Sequence, residues 1–130
     1  MDKKFKYSGL LPKACPPNIA IDKEFTGYRL IKQQTSTEQD FIPHALIYKK
    51  NKRYYPCNWW SLSFFDTEEN AKIKYQSTKN LQKKYRYLAK VKVQENLGVS
   101  HGPSDKGHID FWSYESTNFE DFKIQNVLEL

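Results

Sequence analysis

Long apolar runs are missing from this sequence. No stretch approaches the ~18 consecutive apolar residues of a spanning helix, so no membrane segment is expected. The N-terminus, Met1-Asp2-Lys3-Lys4-Phe5-Lys6, is charged and lacks the apolar core of a secretion signal, which makes a cytoplasmic setting the expectation. Cysteine is scarce. Cys15 and Cys57 are the only two and form no CxxC pair, so zinc-ribbon and thioredoxin-type sites lack their signature. Two free thiols are expected, with Cys57 as a small core residue. The five glycines form neither GxGxxG nor GxxxxGK, and no GxSxG occurs. Arginine accounts for only three of the 21 cations. Lysine is a point charge rather than a bidentate fork, which argues against sequence-specific readout of nucleic acid.

What is present is a chain of 130 residues, enough for one domain. Three Trp, nine Tyr and eight Phe are too many rings for a disordered chain. Charge is segregated. Residues 1–92 carry 19 Lys/Arg against 8 Asp/Glu, and residues 93–130 carry 2 against 7, which together give the net +6. Such a chain either meets an anionic ligand or folds its acidic part back on its basic part.

Residues 1–25 read as an irregular lead-in, because Pro12, Pro16 and Pro17 interrupt regular structure. Residues 26–130 read as a single domain. A first strand is expected over 26–33, with Tyr28 and Leu30 on one face and Arg29 and Ile31 on the other. Ser36-Thr37-Glu38-Gln39 reads as a capping box opening a short turn that ends at Pro43. A hairpin is expected over 45–55 with a basic tip. A strand follows over 59–65, then a helix opened by Asp66-Thr67-Glu68-Glu69. Residues 86–93 form a strand with Tyr87, Ala89, Val91 and Val93 on one face. Residues 95–108 read as a loop, 109–114 as a short aromatic segment and 119–128 as a last strand. The fold class is α+β: a mainly antiparallel twisted sheet with two or three short helices.

Several constellations carry candidate chemistry. His101, His108 and Asp110, with His44 in reserve, match metal-ligand types, but the spacing fits no established site and no metal is predicted. The segment 48–55 interleaves cations with tyrosines, a pattern that pairs phosphates and stacks single-stranded bases. The segment 108–115 gathers a His, two carboxylates and three rings. Trp112 there is a candidate anchor for a protein partner in an interaction or immunity-type module. The fullest constellation combines Arg29, the Ser61/Ser63 pair and Glu115. Arg29 suits a phosphate, the serines orient a ribose and Glu115 polarises it. His108, Trp112 and the neighbouring rings supply a wall for the ligand. The structural alternative is packing, with Arg29 paired across the sheet to Asp110 or Glu115.

Tyr28-Arg29, Ser61-Leu62-Ser63 followed by Ala71 and Tyr75, and Glu115 resemble the Arg … Ser-x-Ser … Glu arrangement of ADP-ribosyltransferase-like domains. Leu62 stands where that family has Thr, and Ser113 stands where it has Glu or Gln. The resemblance implies a split sheet that grips NAD in a cleft, in an active or degenerate domain of toxin-type effector character. It also implies roles: Arg29 at the phosphate, Ser61 and Ser63 bracing the site, and Glu115 as the catalytic acid. The pattern Ser-Leu-Ser-Phe … His-x-Asp-Phe-Trp-x-Tyr-Glu is similar to small bacterial proteins as well, which adds no mechanism. Three partners are therefore expected in turn: a nucleotide, a protein, or a nucleic acid.

Overall fold

A computed structural model describes residues 3–47 and 55–130. Among the described residues six strands form: β1 (Phe25–Ile31), β2 (Leu62–Phe65), β3 (Tyr87–Val93), β4 (Gly98–His101), β5 (His108–Ser113) and β6 (Lys123–Glu129). Three short helices accompany them: α1 (His44–Ile47), α2 (Glu68–Gln76) and α3 (Lys79–Lys84). The strands make one sheet in the order β4-β5-β2-β1-β3-β6, every neighbouring pair antiparallel. The fold is α+β, as the sequence predicts.

Alternation along the strands decides what each face of the sheet buries. On one face Ile31, Phe64, Ala89, Val91, Val93, Ile109 and Phe111 form the main core, closed by Phe41 and Phe122. The opposite face has two separate covers. Ala71 of α2 packs over Phe65 and Leu88. The lead-in segment and Ala45 of α1 pack with Trp60 and Trp112. Between these covers lie Ser63, which is exposed, and Asp110 and His108, which are half-buried. The sheet also parts here. β1 and β3 pair over seven positions, whereas β1 and β2 share only Tyr28 opposite Phe65.

Local sequence explains most elements. Thr67 caps α2 by accepting from the Asn70 N–H at 3.1 Å, a contact that contributes about 1 kcal/mol. Gly107 ends the turn before β5 at φ +84°, where a side chain would strike Asp66 and Asn70. That turn is tied to the start of α2 because the Asp66 N–H donates to the Gly107 carbonyl at 2.8 Å. It thereby fixes where His108 and Asp110 emerge.

Five expectations need correction. The capping pair is Thr37 with Asp40, one residue later than read, because the Asp40 carboxylate reaches the Thr37 N–H at 2.8 Å. Residues 44–47 form a helical turn rather than a hairpin arm, and most of the basic tip, residues 48–54, lies outside the described residues. Cys57–Trp60 is a 3-10 turn started at Pro56, so the strand begins only at Leu62. Ser61 holds that turn through its hydroxyl, whose one proton is shared between the Asn58 carbonyl at 2.7 Å and Asp110 Oδ1 at 3.0 Å. The loop expected over 95–108 contains β4, which pairs with β5 from Gly98 opposite Ser113 to His101 opposite Asp110. Cys15 and Cys57 are not free thiols; they form a disulfide between the lead-in segment and the 57–60 turn. Among the described residues no helix is long and apolar enough to cross a membrane.

Candidate functional site

A cavity of about 320 Å³ opens on the face left between the two covers. Arg29, Ser61, Ser63, His108 and Asp110 all line it. Its size is at the low end of the ~300–1,000 Å³ typical of small-ligand sites. It exists because β1 and β2 separate after Tyr28 and Phe65, which leaves room for the Arg29 side chain to pass between them.

Arg29 is held rather than loose. Its Nε donates to the Asp40 carbonyl and its Nη1 to the Ser63 carbonyl, both at 2.8 Å. The guanidinium lies 5.4 Å from the Phe41 ring centre and 5.8 Å from that of Phe64. Burial pulls its pKa down to about 10, opposed by the charges of Tyr85 and Asp40, so it remains a cation at neutral pH. The two bonds use two of five N–H donors and leave three for a ligand. Arg29 does not pair across the sheet with Asp110 or Glu115, as the packing alternative required; its described partners are backbone carbonyls.

On the other side of the parting, Ser63 sits opposite Asp110 in the β2–β5 register. The Ser61 hydroxyl is 3.0 Å from Asp110 Oδ1, and His108 Nδ1 lies 3.7 Å from the same oxygen. Asp110 is thus oriented by a hydroxyl and flanked by an imidazole, with its second oxygen available. The rest of the wall is mixed, with Leu30, Ile42, Ile47 and Leu81 as its aliphatic part and polar, basic and aromatic side chains at two lips. His44, Asn58 and Trp59 form one lip; Lys74, Lys84 and Tyr85 form the other. The His44 and Trp59 rings meet edge to face at 4.5 Å, and Tyr55 lies 4.6 Å from Trp59. Burial holds the His44 imidazole below its usual pKa, and the positive charge of Lys84 lowers it further.

The structure therefore brings together Arg29, Ser61, Ser63 and His108 and leaves two predicted residues elsewhere. Trp112 is 4% exposed, and its Nε1 donates to the Cys57 carbonyl at 3.1 Å. It anchors the core beneath the 57–60 turn and presents no surface ring. Phe111 and Tyr114 are buried with it. Glu115 is exposed beyond the far end of β5, about 16 Å along the chain from Asp110 at roughly 3.3 Å per residue. Its N–H donates to the Lys4 carbonyl, and it does not line the cavity. The acid at the cavity is Asp110, which the sequence offered as a metal ligand and as a packing partner of Arg29. Its signal was the spacing His108-Ile109-Asp110, which puts both polar side chains on one strand face. Among the described residues no three His, Cys, Asp or Glu side chains come together as a metal-holding group.

A second cavity, of about 260 Å³, shares Ile42 in its wall and is lined by Tyr7, Glu38, Trp60, Trp112 and Asn118 among others. Comparison with known proteins finds no matching family model, and no curated protein or solved structure that matches the chain.

Proposed function

We propose that the Arg29–Asp110 cavity binds NAD or a related nucleotide, and that the chain is an ADP-ribosyltransferase-like domain. The observation that carries this reading is the Ser61–Asp110 hydrogen bond inside the cavity that Arg29 enters. A fixed cation, an oriented carboxylate and paired hydroxyls on three neighbouring strands form the set that a ribose phosphate requires.

Each residue then has a task. Arg29 holds phosphate with its free N–H donors. Ser63, exposed on the same strand face, meets a ribose hydroxyl. Asp110 accepts from a ribose hydroxyl and offsets the positive charge that grows at the anomeric carbon as the bond to nicotinamide breaks. That bond's electron pair leaves with the nicotinamide nitrogen. An acceptor N–H or O–H supplies the new bond to the anomeric carbon, and its proton passes to Asp110 and then to water. Ser61 keeps the carboxylate aimed. The acid role that the family resemblance gave to Glu115 passes in this reading to Asp110. A cytoplasmic setting loses one support, because a disulfide persists where thiols are oxidised.

The test is melting temperature with NAD and ADP-ribose, followed by NAD turnover. A ligand at about 100 times its Kd stabilises by roughly 2.7 kcal/mol, a shift of several degrees. Asp110→Asn should lower turnover by at least ~100-fold with the melting temperature retained, whereas Glu115→Gln should leave it near wild type. A nucleotide-insensitive melting curve, or turnover that survives Asp110→Asn, overturns the reading.

A further inference from the structure

We propose that the cavity mouth is a docking surface for a single-stranded nucleic acid, which serves as the acceptor of the transferred group. The identity of the transferred group rests on the reading above; strand binding does not. Two surfaces meet at the mouth. From Lys74 to Arg86 the chain carries five cations and no carboxylate, whereas Lys72 just before them is paired with Glu68 at 3.0 Å. Lys74 and Lys84 of that run line the cavity, and Lys74, Lys79, Lys83, Lys84 and Arg86 are all exposed. On the facing lip stand Trp59 and His44, and Tyr55 contacts Trp59 to extend the group of rings.

A row of lysines beside an aromatic platform is what a single strand requires. Lysines follow the phosphates without demanding a sequence, and rings stack on any base, each contact being worth ~1–3 kcal/mol. The scarcity of arginine, which argues against base-specific readout, fits a sequence-tolerant grip. An acidic protein would compete for the same lysines, and polyglutamate is the probe that separates it from a strand. A duplex would keep its bases stacked away from the rings. The strand would pass between the lips, with one base or sugar presented to the anomeric carbon above Asp110. The new bond joins that carbon to an acceptor N or O, and the acceptor's proton is lost through Asp110.

The experiment is fluorescence anisotropy with labelled 20-nucleotide single strands of DNA and of RNA, using the whole chain across a salt series. We expect log K to fall against log salt with a slope of about −3, as for four phosphate contacts at ~0.7 each. Lys79→Glu with Lys83→Glu should weaken binding at least tenfold while the NAD-dependent melting shift stays unchanged, since neither residue lines the cavity. Trp59→Ala should weaken it several-fold at all salt concentrations. Preference between the DNA and RNA arms identifies the strand. Absent or salt-independent binding, equal competition by polyglutamate, or affinity unchanged in the double lysine variant overturns the proposal. If strand binding holds and NAD fails to shift the melting temperature, the cleft reading falls and the docking surface stands.

Discussion

β3 pairs with β1 over seven positions and with β6 over six and buries a nearly continuous apolar face, whereas β2 meets β5 over four positions and β1 at one. The long-paired half contains Val91, Val93 and Ala89, all fully buried. The short-paired half contains Ser61, Ser63, His108 and Asp110 on the face turned away from the core. Regular pairing satisfies backbone groups internally and leaves nothing for a ligand. Where pairing stops, a side chain must do that work, and here Arg29 supplies donors to the carbonyls of Asp40 and Ser63. The same break in the sheet thus creates the space, requires the cation and exposes the polar strand face.

This contrast can be broken most severely at Phe64, which is fully buried on β2 next to the exposed Ser63. Phe64→Ala should lower unfolding free energy by about 3–5 kcal/mol, against about 0.5 or less for Ser63→Ala next to it. Urea denaturation measures both, and equal losses would show that the two faces of β2 do not differ as described. Next comes the covalent tie. Replacing both Cys15 and Cys57 by Ser should cost about 2–4 kcal/mol, because the bond spans 42 residues. Since Asn58, Trp59 and Ser61 follow Cys57 directly, the same variant should weaken nucleotide binding more than any loss of global stability explains; calorimetry with ADP-ribose checks this. The smallest effect concerns His44. Its folded-state pKa lies below the unfolded value of 6.5, so the unfolded chain takes up the proton first as pH falls. Stability should therefore be retained above about pH 6.5 and decline through the folded pKa. Lys84→Gln should move the His44 titration upward in a proton NMR series; an unmoved titration would mean that the two lips do not face each other across the mouth.

The two halves of the sheet also differed in how readily they were read. β1 and β3 announce themselves through alternation, with Tyr28/Leu30 set against Ile31 and with Val91/Val93 against Lys90/Lys92. The Thr67 cap and the acids after it gave the start of α2. β4 escaped because Gly-Val-Ser-His has one apolar side chain, and it is a strand only through its pairing with β5. α3 escaped because Leu81 is its sole apolar residue, so no stripe marks it. The disulfide escaped because pairing Cys15 with Cys57 depends on the lead-in segment packing over Trp60 and Trp112, a long-range event. Four of the five polar positions singled out for the cleft, Arg29, Ser61, Ser63 and His108, do line one cavity. The fifth, Glu115, rests on the family resemblance, and register decides otherwise: Asp110 is the carboxylate opposite Ser63.

The bond between Cys15 and Cys57 turns residues 15–57 into a covalent ring that contains β1, α1 and Arg29. A single scission anywhere on that arc opens the ring without dividing the molecule. If the cut falls between Ile47 and Tyr55, Arg29 belongs to one piece, and Ser61, Ser63, His108 and Asp110 to the other. The cavity then becomes a joint between two polypeptides, fastened by one sulfur bridge and the pairing of β1 with its neighbours. Protease and reductant together would remove every covalent tie between the pieces and leave β1 held only by its pairing with β2 and β3.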